Sequence, residues 1–322
     1  MKKRVKWLCY GAERYLRIKS GWLQKLWMKN SYNFCHRKSI TTEDANKQLG
    51  DLLENNQNVM VARLGFFELA AMRNYEFERS QNYSLVMKQL SDCAGFFPQE
   101  ERMGQPFLTE MKQSLSSVDM LLASGEPFEN YFIDYYTAKK TQIIPTFHLT
   151  QPWMYQNPWT SHLKGKKVLV IHPFEHAIRQ QYERRELLFL GTDILPKFEL
   201  QTYCPVVSVG EYSDTRFEDW FAALEYMFRE IKEIDFDVAL LGCGAYGFPL
   251  AARIRNMGRT AIHVGGNLQL FFGIMGKRWD GSRENGQVKA DLRPFYNENW
   301  IYPSEAETPS ESNKVEYGPY WK

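Results

Sequence analysis

Between Lys166 and Gly265, short uninterrupted apolar runs alternate with longer amphipathic stretches, and no other feature restricts the fold of this chain as much. Val168-Leu169-Val170-Ile171, Asp237-Val238-Ala239-Leu240-Leu241 and Thr260-Ala261-Ile262-His263-Val264 read as strands without polar alternation, which calls for apolar surroundings on both their faces. Helices are expected between them. His172-Pro173-Phe174-Glu175 opens one that runs to about Leu190, residues 216–234 carry an apolar stripe at helical spacing, and residues 248–257 form a helix that stops at Gly258. Residues 198–209 are β-rich. This order predicts an α/β fold, a Rossmann-like, mostly parallel sheet with helices on both faces.

The first half is helix-rich by contrast. Thr41-Thr42-Glu43-Asp44 is a helix start, and Ala45, Leu49, Leu52 and Leu53 continue it on one face. Residues 58–65 read as a short buried strand closing on Gly65, with a helix over 66–75 directly behind it. Further helices are expected over 82–93 and 106–122, and a second strand at 142–145. A turn-rich, aromatic passage over 145–166 marks the internal boundary. The chain thus divides into an arm (1–38), a helix-rich part (39–150), a Rossmann-like part (151–302) and a polar, Pro-punctuated tail (303–322) expected to wrap over the surface.

With 322 residues, 44% hydrophobic and 24% charged, the chain has material for a substantial core, and disordered or fibrous classes drop out. Its net charge of +2 hides an uneven distribution, because residues 1–38 alone carry +10. Apolar residues recur through this arm at helical spacing, and Trp7, Trp22 and Trp27 stand among its lysines. Two readings follow: a basic amphipathic helix lying on an anionic membrane surface, or the same helix docked on the protein's own body. No run reaches the ~18 apolar residues of a membrane span, and no apolar stretch of signal-peptide type follows the basic start. The expected location is therefore cytoplasmic and peripheral, at the inner face of the membrane. Nothing outside the arm supplies a basic groove, so no nucleic-acid partner is expected. Five dispersed cysteines without a C-x-x-C pair fit a reducing compartment and argue against a zinc cluster.

Gly242-Cys243-Gly244-Ala245-Tyr246-Gly247 is a G-x-G-x-x-G directly after one strand and before a helix, where backbone amides can approach a phosphate. A dinucleotide site wants an acid at the end of the next strand; His263 stands there, followed by Gly265-Gly266, so NAD is disfavoured. The same turn also suits S-adenosylmethionine, or a tight turn without any ligand. Downstream, Lys277 and Arg278 are candidates to neutralise a diphosphate and Trp279 to stack on a base or sugar. His172-Pro173-Phe174-Glu175-His176 matches H-x-x-E-H, but a strand-ending His172 followed by Pro173 does not suit a metalloprotease helix. His172 and Glu175 remain as substrate-positioning candidates at the same sheet edge. Arg63 and Glu68 flank Gly65 at another strand end, either as an ion pair or as an anion-binding group beside a general base.

These residues resemble the GT-D glycosyltransferases, enzymes of bacterial surface-glycan assembly that use nucleotide-sugar donors. Arg63, Gly65 and Glu68 match the family's R-x-G-D-G-E, and Leu240–Gly247 with Ala261-Ile262-His263-Val264-Gly265 is similar to its later strand, glycine turn, helix and strand ending in A-[IL]-D-[IL]-G. Two positions depart from the family: Phe66 stands for the first Asp and His263 for the later one. The resemblance implies a nucleotide-sugar donor, a glycan or lipid-linked acceptor of capsule or lipopolysaccharide type, and a divalent metal (Mn or Mg) held by the D-x-E carboxylates. Phe66 leaves that metal open, and Lys277 and Arg278 are candidates to supply its charge. In this reading Glu68 is the base or sole carboxylate, Arg63 orients it, and the glycines at 242, 244, 247, 265 and 266 shape the donor site. Alternatives are an S-adenosylmethionine-dependent methyltransferase and a non-catalytic nucleotide-binding protein of the same pathway.

Overall fold

The computed structural model of the chain describes residues 37, 39–77, 83–126, 128–144, 148–208, 214–280, 295–310, 312–315 and 318–322. Apart from Arg37, the basic arm and its expected amphipathic helix lie outside the described residues.

The described chain begins with α1 (Thr42–Glu54), β1 (Met60–Arg63), α2 (Phe66–Glu76), α3 (Tyr83–Ala94) and α4 (Gly104–Leu115). There follow β2 (Met120–Leu122), α5 (Glu129–Tyr136), β3 (Gln142–Ile144), β4 (Lys167–Ile171), α6 (Glu175–Glu183), β5 (Glu199–Tyr203) and α7 (Trp220–Ile231). The succession closes with β6 (Val238–Leu241), α8 (Gly247–Asn256), β7 (Thr260–His263) and the single turn α9 (Leu268–Phe271). The strands form one seven-stranded sheet in the order β3-β2-β1-β7-β6-β4-β5, and every pairing in it is parallel. The fold is α/β and Rossmann-like. The turn-rich passage at 145–166 separates the halves in sequence, while the pairing of β1 with β7 joins strands from both in one sheet.

Strand residues alternate between two cores, as a sheet covered on both faces requires. Met60, Leu121, Leu169, Ala239 and Ala261 pack beneath α2, α4, α7 and α8, while Val61, Met120, Val170, Leu240 and Ile262 meet α1, α6 and α9 on the other side. Local signals set the helix starts. Thr41 accepts from the Asp44 amide at 3.1 Å at the head of α1, and Asp219 accepts from the Ala222 amide at 2.8 Å at the head of α7.

Some boundaries differ from the sequence expectation. The single helix expected over 106–122 is α4 followed by β2. Successive tight bonds from the amides of Ser116, Ser117 and Val118 end the helix, and the Asp119 carboxylate then takes the Met60 amide at 2.9 Å, fixing the start of β2 beside β1. The helix expected to reach Leu190 ends at Glu183, with a separate turn over Arg185–Leu187. The helix expected from residue 216 begins at Trp220, after the Asp219 cap.

Candidate functional site

The loops leaving the carboxyl ends of β1, β7, β6, β4 and β5 enclose a cleft of about 610 Å³. Such crevices form where the connections of neighbouring strands depart in opposite directions. After β4 the chain turns outward to β5, and after β6 it turns inward to β7, so the His172 and Gly242 loops part at this point.

Arg63 closes β1, and Gly65 begins α2 in extended conformation with no side chain of its own to cap the helix. Glu68 fills that role. Its carboxylate folds back over Gly65, Oε2 lying 1.9 Å from where a Cβ would stand, and hydrogen-bonds its own backbone amide at the helix N-terminus. Burial raises the Glu68 carboxyl above its ordinary value, while that amide and Arg63 act in the opposite sense. Desolvation lowers the Arg63 guanidinium, Tyr320 and Glu68 offset this, and Arg278 adds to the lowering. One carboxylate and two guanidinium groups therefore share a single field.

Gly265 and Gly266 follow β7. Gly265 sits at φ +71°, a backbone conformation that favours glycine, and the Arg63 Cζ lies 3.6 Å from the place of its absent Cβ. A Cβ on Gly266 would stand 2.3 Å from the Tyr320 ring. Arg278 completes this wall, its Nη1 donating to the Tyr320 hydroxyl at 3.1 Å.

Two buried histidines face the cleft. His172 Nδ1 accepts from the Phe174 amide at 3.0 Å, which fixes Nδ1 as the unprotonated nitrogen and leaves Nε2 to carry the hydrogen. Burial pushes its value down to about 3. His263 also falls to about 3, first through burial and then through Arg63, and its Nδ1 has no hydrogen-bond partner among the described residues. The imidazole thus stands neutral beside a guanidinium where an Asp would have formed an ion pair.

The glycines of the Gly242–Gly247 turn make room chiefly for protein groups. A Cβ on Gly242 would meet the His172 ring at 2.7 Å, one on Gly244 the Ala94 carbonyl at 2.6 Å, and one on Gly247 His263 Nε2 at 2.4 Å. Gly242 and Gly244 line the cleft floor; Gly247 packs behind it, which corrects its expected place at the phosphates. Tyr246 also reaches the floor, but it is only 2% exposed and its ring stacks on Trp220 at 5.0 Å.

Of the remaining candidates, Glu175 lines the cleft, accepting from the Thr202 hydroxyl at 3.3 Å and pairing with Arg179 at 3.6 Å. Lys277 does not line it; its amide donates to the Trp321 carbonyl at 3.0 Å. Trp279 is 5% exposed in a small core with Leu188, Leu270 and Trp300, so its ring is committed to packing and is not open to stack on a ligand. The structure brings together Arg63, Glu68, Tyr246, His172, His263 and Arg278, contributed by widely separated parts of the chain.

Two residues escaped the sequence reading. Tyr320 belongs to the tail, which forms a cleft wall and does not merely cover the surface. Glu129 is fully buried behind the cleft, accepting from the Gly125 amide at 2.7 Å and from the amide and hydroxyl of Ser124, each at 3.2 Å. Burial lifts its carboxyl to about 7, and its charge is felt at Arg63. No motif marks Tyr320, and Glu129 follows β2, which the sequence pattern does not separate from the end of α4.

The donor set at this cleft does not suit a divalent cation. Phe66, 57% exposed, stands at the position to which the GT-D resemblance assigns a carboxylate, and it offers no ligand atom. Glu68 is turned onto its own helix, Glu175 is held by Arg179 and Thr202, and Glu307 accepts from the Ala177 amide at 3.0 Å. Among the described residues no group of three His, Cys, Asp or Glu side chains is placed to hold a metal ion.

The chain matches no family profile and no curated protein. Among solved structures it is similar to a new glycosyltransferase (DUF1792) from Streptococcus sanguinis, with a TM-score of 0.38 and 12% identity over 71% of this chain and 82% of the other. It is also similar to a selenomethionine-substituted structure of domain of unknown function 1792, with a TM-score of 0.34 and 10% identity over 68% of this chain and 82% of that one. A third structure, of the highly conserved domain of unknown function 1792 described as having a distinct glycosyltransferase fold, gives 0.33 and 9% over 67% and 82%. At these scores the overlap is confined to a coarse outline.

Proposed function

We propose that the chain is a glycosyltransferase that holds a nucleoside-diphosphate sugar in this cleft and passes the sugar to a glycan acceptor of bacterial surface-polysaccharide type. The observation that carries the proposal is the convergence of Arg63, Glu68 and Arg278 with the Gly242 and Gly265 turns around one cleft of about 610 Å³ at the carboxyl ends of parallel strands. That volume lies within the usual range of small-molecule sites.

In the transfer, the bond from the sugar's anomeric carbon to the diphosphate oxygen breaks while an acceptor hydroxyl oxygen bonds to that carbon. The hydroxyl proton passes to Glu68, and the electron pair leaves with the diphosphate. A carboxylate desolvated above its ordinary value is a stronger base than one in water, which suits Glu68 to this step. Arg63, on the strand that precedes it, orients the carboxylate and faces the departing charge. His172, with its hydrogen on Nε2, serves as a donor to sugar or phosphate oxygens rather than as a base. The basic arm would bring the enzyme to anionic lipid at the inner face of the membrane, where a lipid-linked acceptor is presented. Among the described residues no helix is long and apolar enough to cross a membrane.

Calorimetric titration with UDP, GDP, CDP, ADP and dTDP and their common sugar esters tests the proposal. One nucleotide should bind with a Kd of about 1 μM to 1 mM, the usual range for substrates, and Glu68→Gln should retain that binding while losing transfer. Absence of binding by the whole panel would remove the proposal.

A further inference from the structure

We infer that two guanidinium groups, Arg63 and Arg278, meet the charge of the diphosphate in this cleft without a divalent cation, and that Tyr320 is the positioning residue that holds Arg278 to the task. The inference rests on the proposed nucleoside-diphosphate site and goes beyond it by naming what neutralises the leaving group.

The carboxylates at the cleft are already engaged. Glu68 hydrogen-bonds its own helix amide in the field of Arg63, Glu175 lies against Thr202 and Arg179, and Glu307 against the Ala177 amide. Phe66, two residues before Glu68, offers no ligand atom.

The cations approach one short backbone turn from two sides. Arg63 lies against Gly265, and Tyr320, carrying Arg278, lies against Gly266. Arg63 thus reaches the turn directly and Arg278 reaches it through Tyr320, and both side chains line the same cleft. Arg278 adds to the lowering of Arg63, a cost that an anion bound in the cleft would offset.

Arg278 is held in place before any ligand arrives. Its amide donates to the Pro319 carbonyl at 3.0 Å, and Nη1 donates to the Tyr320 hydroxyl at 3.1 Å. Its guanidinium carbon lies 4.9 Å from the Tyr320 ring centre and 5.8 Å from that of Trp279. Tyr320 is itself fixed, its carbonyl accepting from Gln269 Nε2 at 3.2 Å and its ring filling the space beside Gly266. A planar guanidinium immobilised by aromatic rings loses little rotamer freedom on binding, and its fork of donors matches phosphate oxygens. Burial of Trp279 thereby acquires a function: the ring supports the arginine instead of touching the ligand.

The test compares, by calorimetry, the tightest-binding nucleoside diphosphate of the UDP, GDP, CDP, ADP and dTDP panel with its monophosphate, each in EDTA and in excess Mn²⁺ or Mg²⁺. The wild-type Kd for the diphosphate should agree within about twofold between the two conditions, well inside the tenfold that 1.4 kcal/mol would produce. Arg278→Ala should weaken the diphosphate by about 10- to 100-fold, the usual effect of losing hydrogen bonds to a charged group, and leave the monophosphate unchanged. Arg278→Lys, which keeps the charge and loses the fork, should fall between, and it decides the matter if the alanine variant does not fold. Tyr320→Phe should narrow the diphosphate-to-monophosphate preference several-fold with an unchanged melting temperature, an effect that a merely structural role would not produce. Diphosphate binding lost in EDTA and restored by Mn²⁺ would overturn the inference and leave the proposed function standing. A Tyr320→Phe preference equal to wild type would overturn the positioning role, and no nucleotide binding under either condition would remove the underlying reading.

Discussion

The Glu68 carboxylate occupies the space that a side chain on Gly65 would need, Oε2 lying 1.9 Å from the position of a Cβ there. Gly65→Ala should therefore displace the carboxylate, the movable partner of the two, from the N-terminus of α2. Nucleotide binding should persist, transfer should fall by about two orders of magnitude as expected for loss of a general base, and the helix should lose about 1 kcal/mol of charge–dipole stabilisation. A transfer assay beside a urea titration checks both; full activity in Gly65→Ala would deny Glu68 its role as base.

His172 and His263 are held neutral by burial, each at about 3. Both values lie below those of the unfolded chain, so the unfolded state takes up protons first on acidification. Their contribution to stability is present above about pH 6.5 and is lost as pH falls toward about 3, at up to about 1.4 kcal/mol per pH unit for each group. His172→Asn keeps an acceptor for the Phe174 amide and removes one titration. Its urea midpoint should decline less steeply than that of wild type between pH 6.5 and 4.

Glu129 works in the reverse direction. Burial lifts its carboxyl from the ordinary range to about 7, so the folded state retains a proton that the unfolded chain has released. Its contribution is present below about pH 4.5 and is lost as pH rises through about 7. Glu129→Gln should flatten the decline on that side, measured by the same urea midpoints.

Trp220 is fully buried, stacked on Tyr246 at 5.0 Å and set against Phe96 at 5.3 Å and Phe107 at 5.6 Å. Trp220→Ala should cost about 3–5 kcal/mol, as large-to-small changes in packed cores do. Through Tyr246 it should also loosen the cleft floor, so that the Kd for nucleotide rises together with the fall in melting temperature. Trp220→Phe should recover most of both.

The strands β4, β6 and β7 could be read from sequence because each contains an apolar run without polar alternation between amphipathic segments, which a doubly covered parallel sheet accommodates. β2 could not, because Met120–Leu122 is too short for its period to separate it from the end of α4. Arg63 and Glu68 were visible through the strand, glycine and helix around them. Lys277 and Trp279 were misplaced because local pattern supplies residue type but not direction, and Trp279 turns inward. Gly247 was legible as a required glycine, but not the reason, which is a histidine contributed by β7. Tyr320 gains its place only when the tail returns to the β7 turn, a contact between distant segments that no window of sequence contains.

The last strand among the described residues, β7, lies in the interior of the sheet between β1 and β6. During synthesis, β1 and β6 must each wait with an open hydrogen-bonding edge until residues 260–263 emerge and are inserted. The nascent polypeptide is thus most prone to mispairing just before its cleft closes, and fragments ending ahead of β7 should accumulate as aggregates rather than as folded intermediates.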